Sequence, residues 1–344
     1  ISKQSNNIAK IVLGGEDNYI DLDMPNVADH LYKSSLPKVC YAPHGINDEM
    51  FYPLADHETT NMRKQLFGDN HAEDVNFVVF HNNRNIRRKM TSDLIFAFKL
   101  MYDKIKNEDP EQAEKIRLVL HTEAVDNNGT HLPEVIKNVC PEVEHLIIIT
   151  NTKVSPQELN IFYNIADVVP NIASNEGWGL SSTEAMLTGT PIINNVTGGL
   201  QDQCRFEDED GNWIDFDEDF GSNHQGRYKK HGRWVNPVFP ASINIQGSPM
   251  TPYIFDDRCD PRDVAKALYK WWETPAEIRS TCGMEGRAWA MSAEAGFTAE
   301  RMCKTIGDAM QLCIDNFIPQ PRFTMYNVHA EIKKSKNKKT GIAL

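Results

Sequence analysis

The sequence predicts an α/β chain built on a doubly wound parallel sheet. Two observations carry that prediction. From about residue 75, apolar runs of strand length alternate with segments whose apolar residues recur at helical spacing. Repeated strand–helix alternation closes into a parallel sheet covered by helices on both faces. Two of the loops leaving those strands are rich in Gly, Asn, Arg and Glu, and ligands of such sheets bind beyond the carboxyl ends of the strands.

Residues 75–80 read as the first buried strand. Thr91, Ser92 and Asp93 then offer a helix start, and Leu94, Ile95, Phe98, Met101, Tyr102 and Ile105 follow at helical spacing. Residues 116–121 form the next strand, 132–139 a short helix and 146–150 a third strand. Ser155 and Pro156 open a helix with Leu159, Phe162, Tyr163 and Ala166 on one face. A short strand at 167–170, a helix at 181–187 and a strand at 191–194 continue the alternation. Residues 205–252, rich in Asp, Glu, Gly, Asn and Trp, interrupt it and read as a long insertion, either a surface excursion or else a lid or partner surface. Two later stripes, Val264, Ala265, Leu268, Trp271 and Trp272, then Met302, Ile306, Ala309, Met310, Cys313 and Phe317, read as helices packed on the core. From Pro319 the chain becomes a tail ending in Lys333, Lys334, Lys336, Lys338 and Lys339, a solvated end or a contact for an anionic surface.

The 344 residues suffice for one large or two ordinary domains. A net charge of −12 argues against nucleic acid as the main partner, because phosphate binding needs clustered Lys and Arg. No apolar run approaches the length of a membrane span, and residues 1–20 are too polar for a secretory signal. Seven scattered cysteines without a C-x-x-C pair point to a reduced, cytoplasmic setting.

The most informative segment runs Asn175, Glu176, Gly177, Trp178, Gly179, Leu180, Ser181, Ser182, Thr183, Glu184, Ala185, Met186. It leaves a strand and enters a helix. Its glycines let backbone approach a ligand closely, and the new helix presents free N–H groups to an anion. A loop carboxylate at Glu176 can accept from sugar hydroxyls and one at Glu184 from a ribose; alternatively Glu184 is an ordinary exposed helical residue. A second cluster, Asn82, Asn83, Arg84, Asn85, Ile86, Arg87, Arg88 and Lys89, also follows a strand. It reads as a diphosphate site, Arg giving a forked donor and Lys a point charge, or as a solvated basic turn.

Together these segments resemble the retaining glycosyltransferases of group 1 (family four), which include sucrose-, mannose- and lipopolysaccharide-forming enzymes. Arg84 and Lys89 have the spacing of that family's Arg-x4-Lys pair, and Glu176 and Glu184 that of its Glu-x7-Glu signature. Gly189, Thr190, Pro191 and Ile192 match its Gly-x-Pro-hydrophobic step, and Thr197, Gly198 and Gly199 with Asp202 match its Gly-Gly turn. Ala42, Pro43, His44, Gly45, Ile46 and Asn47, with Phe51 and Pro53, resemble its interdomain His-Gly segment. The resemblance covers about residues 36–203 and, more loosely, 260–315. This chain departs from the pattern at Met90, where the family often has Gly, at Ser181, where it often has Pro, and at Asn47, where it usually has Asp.

The resemblance implies a Rossmann-like domain, the C-terminal half of a GT-B fold, with the N-terminal acceptor domain largely missing. It divides the chain into 1–54 (end of that domain and interdomain segment), 55–318 (nucleotide-sugar-binding domain, with the 205–252 insertion) and a 319–344 tail. It implies transfer of a hexose from a nucleotide diphosphate sugar to an acceptor hydroxyl with retention of configuration. No cofactor or metal is expected, and the donor is a UDP-sugar in preference to a GDP-sugar. Arg84 and Lys89 would stabilise the leaving diphosphate and Glu176 would hold the donor sugar, these three forming the catalytic set. Donor binding would also draw on His44, Gly45, Gly177, Trp178, Gly179, Leu180 and Ser181, on Glu184 for the ribose, and on Thr152 and Val154 for the base. The chain starts at Ile1, and 43 residues before His44 are too few for a second doubly wound domain. The expectation is therefore an acceptor domain upstream in the same polypeptide. The alternatives are a donor-binding subunit with a separate acceptor chain, or a non-catalytic nucleotide-sugar-binding module. Both ends of the chain are expected on one side, near the mouth of the Glu176 cleft, with apolar surface exposed there.

Overall fold

The computed structural model describes residues 2–12, 39–216, 221–248 and 251–315. Its elements in chain order begin with α1 (Lys3–Val12), α2 (Asp56–Phe67), β1 (Phe77–Asn82), α3 (Thr91–Glu108), α4 (Pro110–Ala113) and β2 (Ile116–His121). Then come α5 (Leu132–Val139), β3 (Ile147–Thr150), α6 (Pro156–Ile165), β4 (Val169–Asn171), α7 (Leu180–Leu187) and β5 (Ile192–Asn195). The series closes with β6 (Val235–Val238), β7 (Ser242–Ser248), β8 (Thr251–Arg258), α8 (Pro261–Glu273), α9 (Ala276–Ala290) and α10 (Ala299–Asp315).

The parallel prediction holds. Strands β1, β2 and β3 pair in parallel, as do β4, β5 and β6. The two ribbons meet between β1 and β4, where the Phe80 N–H donates to Val168 O at 3.0 Å and the Asp167 N–H to Val78 O at 2.8 Å. The order is thus 3-2-1-4-5-6, with a topological switch point between β1 and β4. Alternation along each strand sends side chains to both faces. Phe77 and Val79 of β1 join one core with α3, α5 and α8, while Val78 and Phe80 join the other with α2, α6 and α9. The antiparallel pair β7–β8 lies outside this sheet.

Two expectations need correction. Residues 205–252 are not wholly a surface excursion: Phe206, Ile214 and Trp234 are buried, and Val235–Val238 is β6 of the parallel sheet. Val235–Val238 follows a polar stretch rather than a helical segment, so no strand–helix alternation marks it, and an edge position is where a strand tolerates Pro237. The stripe on α10 is not core. None of its residues is buried, and Ile306 and Met310 are 44% and 61% exposed. Periodicity reports that a helix has an apolar face, not what covers it. α3 starts at Thr91 as expected, without a side-chain cap: its N-cap is Met90, in the left-handed region at φ 56. That conformation accounts for glycine at this place in the family pattern. Phe317, Asp217, Asp219, residues 13–38 and the 319–344 tail lie outside the described residues.

Candidate functional site

The switch point opens a cavity of about 500 Å³ lined by His44, Asn82, Asn83, Arg88, Lys89, residues 176–181 and Glu184. Its floor is the carboxyl end of β1 and its far wall the loop from β4 into α7. Of the residues expected from sequence, His44, Lys89, Glu176, Gly177, Trp178, Gly179, Leu180, Ser181 and Glu184 meet here.

Glu176 is the electrostatic centre. It is only 8% exposed, its Oε1 pairs with the Lys89 ammonium, and its Oε2 lies 3.1 Å from Arg88 Nη1. Arg88 also donates to Asn175 O at 2.9 Å. Burial pushes the Lys89 ammonium below its usual range, and Glu176 opposes that shift. Two cations and a carboxylate thus face one cavity. They satisfy one another, because a buried charge needs a partner.

Arg84 is not part of this wall. Its Nε lies 2.8 Å from Asp126 Oδ2, its side chain is 63% exposed, and it does not line the cavity. The reason is the short 3₁₀ turn Arg87–Lys89, entered from Ile86 in an extended conformation and tied by the Arg87 N–H to Asn128 O at 3.0 Å. That turn brings Arg88 and Lys89 to the cavity and leaves Arg84 beside Asp126. Spacing alone does not distinguish among the four cations of this loop; Arg88 was present in the basic cluster and carried no separate signal. Asn82 and Asn83, the other lining residues not singled out, were marked only by their place at a strand's end.

Thr152 and Val154 follow β3 at the same edge of the sheet but do not line the cavity; Thr152 is exposed and Val154 half-buried. Gly45 lies behind the wall. A Cβ there would stand 2.2 Å from Thr298 O, where Ile46 and Thr298 bridge in parallel. The His44 segment is thereby fixed to the start of α10.

The loop bearing Glu176 rests on the Gly-Gly turn. The Gly199 N–H donates to Glu176 O at 2.9 Å. A Cβ on Gly198 would approach Glu176 O at 2.2 Å, and one on Gly199 would approach Gly177 O at 2.3 Å. Gln203 donates to Trp178 O and Gly179 O at 2.9 and 3.1 Å, and the Trp178 indole donates to Thr183 Oγ1 at 2.9 Å. Gly199→Ala therefore forces the loop to move. We expect it to lower stability by about 1–3 kcal/mol, the usual range for overpacking. Thermal unfolding checks this; a wild-type melting temperature would count against the packing argument.

Behind the turn, Asp202 is fully buried and accepts from the Lys3 N–H at 2.8 Å and the Tyr41 hydroxyl at 3.0 Å. Burial raises its pKa from 3.8 to about 7, partly offset by those two donors. The native state therefore keeps a proton that the unfolded chain releases between these values, so Asp202 withdraws stability as pH rises through that window. Asp202→Asn is expected to flatten the fall of the melting temperature from pH 4 to pH 7; an unchanged slope contradicts it.

Among the described residues no three or more His, Cys, Asp or Glu side chains gather as a metal site would require, and no helix is long and apolar enough to cross a membrane.

No protein-family model matches the chain. It is 29% identical over 171 residues to D-inositol 3-phosphate glycosyltransferase of Corynebacterium aurimucosum, covering 49% of this chain and 38% of that protein. It is 28% identical over 173 residues to the enzyme of the same name from Corynebacterium glutamicum, covering 50% and 38%. The matched segment thus spans well under two thirds of these relatives. Among solved structures, sucrose-phosphate synthase from Thermosynechococcus elongatus superposes with TM-score 0.55 at 19% identity, over 82% of this chain and 54% of that one. Anabaena HepE in complex with UDP-glucose superposes with TM-score 0.53 at 16% identity, over 78% and 56%. The chain shares the GT-B-type α/β fold of these structures over about half their length, and its resemblance to group 1 glycosyltransferases extends to these relatives.

Proposed function

We propose that this chain is the donor-binding domain of a retaining glycosyltransferase that moves a hexose from a nucleotide diphosphate sugar to an acceptor hydroxyl. The observation that carries the reading is the convergence of Arg88, Lys89, the first turn of α7 and two carboxylates on one cavity at the switch point. As the bond between the anomeric carbon and the diphosphate breaks, negative charge grows on the leaving oxygen. Preorganised cations and N–H groups stabilise it most where water is excluded. Arg88 and Lys89 supply the cations, and Leu180 and Ser181 open the helix that supplies the N–H groups. Glu176 takes the donor-sugar hydroxyls and Glu184 the ribose.

A UDP-sugar is the favoured donor; the HepE structure, of like fold, holds UDP-glucose. Thr152 and Val154 are assigned to the base, on the same edge of the sheet. The acceptor side is assigned to a second domain, in this polypeptide or another. Exposed Ile306, Met310 and Ile314 on α10 favour such a neighbour, since α10 begins beside the His44 wall. So do exposed Ile8, Ile11 and Val12 on α1, which docks behind the Gly-Gly turn. Calorimetric titration with UDP, UDP-glucose and GDP tests the reading. Binding of UDP and UDP-glucose, with GDP weaker, is expected; no binding of any of the three would sink it.

A further inference from the structure

Tyr163 is a fully buried residue of α6 that does not line the cavity, yet its hydroxyl reaches two residues that do. It donates to Glu184 Oε2 and accepts from Asn82 Nδ2 at 3.0 Å. The ring is held edge-on against Phe80 and Phe51, with centroids 5.1 and 5.9 Å away, and the backbone carbonyl accepts from Thr190 Oγ1 at 2.8 Å. The hydroxyl is therefore fixed from α6, β1 and the turn after α7 at once. The cations of the cavity are engaged elsewhere, since Arg88 and Lys89 pair with Glu176. Burial pushes Glu184 toward the protonated form, and hydrogen bonds from Tyr163 and Asn82 oppose that shift.

We infer that Tyr163, held by Asn82, is the positioning residue for Glu184: it occupies Oε2 and turns Oε1 toward the cavity as the acceptor for a ribose hydroxyl. The inference rests on the assignment of Glu184 to the ribose. A phenol buried against a carboxylate does two things for that task. It fixes the carboxylate's rotation, and it favours the anionic form, the better acceptor. The nucleotide's hydroxyls are then read by a group whose orientation is set before the ligand arrives, which is where discrimination between a hydroxyl and its absence is large.

The test measures UDP and 2′,3′-dideoxy-UDP binding to the full chain, its Tyr163→Phe, Asn82→Ala and Glu184→Ala variants. The wild type should prefer UDP, and Glu184→Ala should abolish the preference. Tyr163→Phe should reduce the preference about 10-fold, the effect of one hydrogen bond to a charged group, while dideoxy-UDP binds as in the wild type, which also reports an intact cavity. Asn82→Ala should reproduce part of that loss, and serves if Tyr163→Phe does not fold. With the hydroxyl gone, burial acts on Glu184 unopposed by it, so the preference should fade at a higher pH than in the wild type. A full preference in Tyr163→Phe or, should that variant not fold, in Asn82→Ala, alongside its loss in Glu184→Ala, overturns the positioning role. A full preference in Glu184→Ala overturns the ribose assignment instead, and with it the inference.

Discussion

Glu176→Ala is expected to slow sugar transfer by about 10²–10³-fold, the range for removing one preorganised polar group from a reacting centre, while free UDP binds as tightly as before or more tightly. The two halves of the prediction come from one geometry. Glu176 holds Lys89 and Arg88. A diphosphate entering the cavity must draw those cations away from a carboxylate that is 8% exposed. Removing the carboxylate removes the competition, so the nucleotide alone gains or loses nothing. On the proposed assignment of Glu176, the sugar loses the acceptor for its hydroxyls, and that loss falls on the reaction. Titrations with UDP and UDP-sugar, alongside transfer rates with the acceptor domain present, separate the two effects. An equal loss of affinity for UDP and UDP-sugar would defeat the assignment of Glu176 to the sugar.

Lys89→Ala and Arg88→Ala should each weaken UDP binding by about 10- to 100-fold, since a hydrogen bond to a charged group contributes about 1.5–3 kcal/mol. Lys89→Ala should have the larger effect. Its side chain is 12% exposed against 43% for Arg88, and water screens the more exposed charge. Arg84→Ala should change binding far less, because Arg84 faces Asp126 rather than the cavity. This contrast checks the placement of the three cations directly. A loss in Arg84→Ala equal to that in Lys89→Ala would mean that Arg84 leaves Asp126 when the donor binds, and the family spacing would then describe the liganded state better than the empty one.

The parallel sheet was legible because β1 and β2 are buried on both faces and apolar over most of their length. Val78 and Val79 sit side by side in the sequence and serve opposite cores. The Glu176 loop was legible for a related reason: a glycine-rich exit from a strand into a helix has few uses, and here it stands at the switch point. β6 was not legible, because it follows a polar stretch rather than a helix and so lacks the alternation that marked the other strands. Nor was the exposure of α10, whose stripe of Met302, Ile306 and Met310 has the same spacing as that of a buried helix.

By itself, then, the sequence determined the strand–helix alternation, the loops that carry charge and glycine, and the presence of Lys89, Glu176 and Glu184 in them. The tertiary structure decided which cation faces Glu176, which hydroxyl holds Glu184, and what the Gly198–Cys204 turn supports. The physical reason is range. Periodicity and turn chemistry are set by neighbours within a few residues, whereas Arg88 meets a carboxylate at position 176, Arg84 one at 126, and Tyr163 one at 184. Which of those partners each side chain reaches depends on the order in which the strands assemble, and on a single left-handed residue, Met90, at the start of α3.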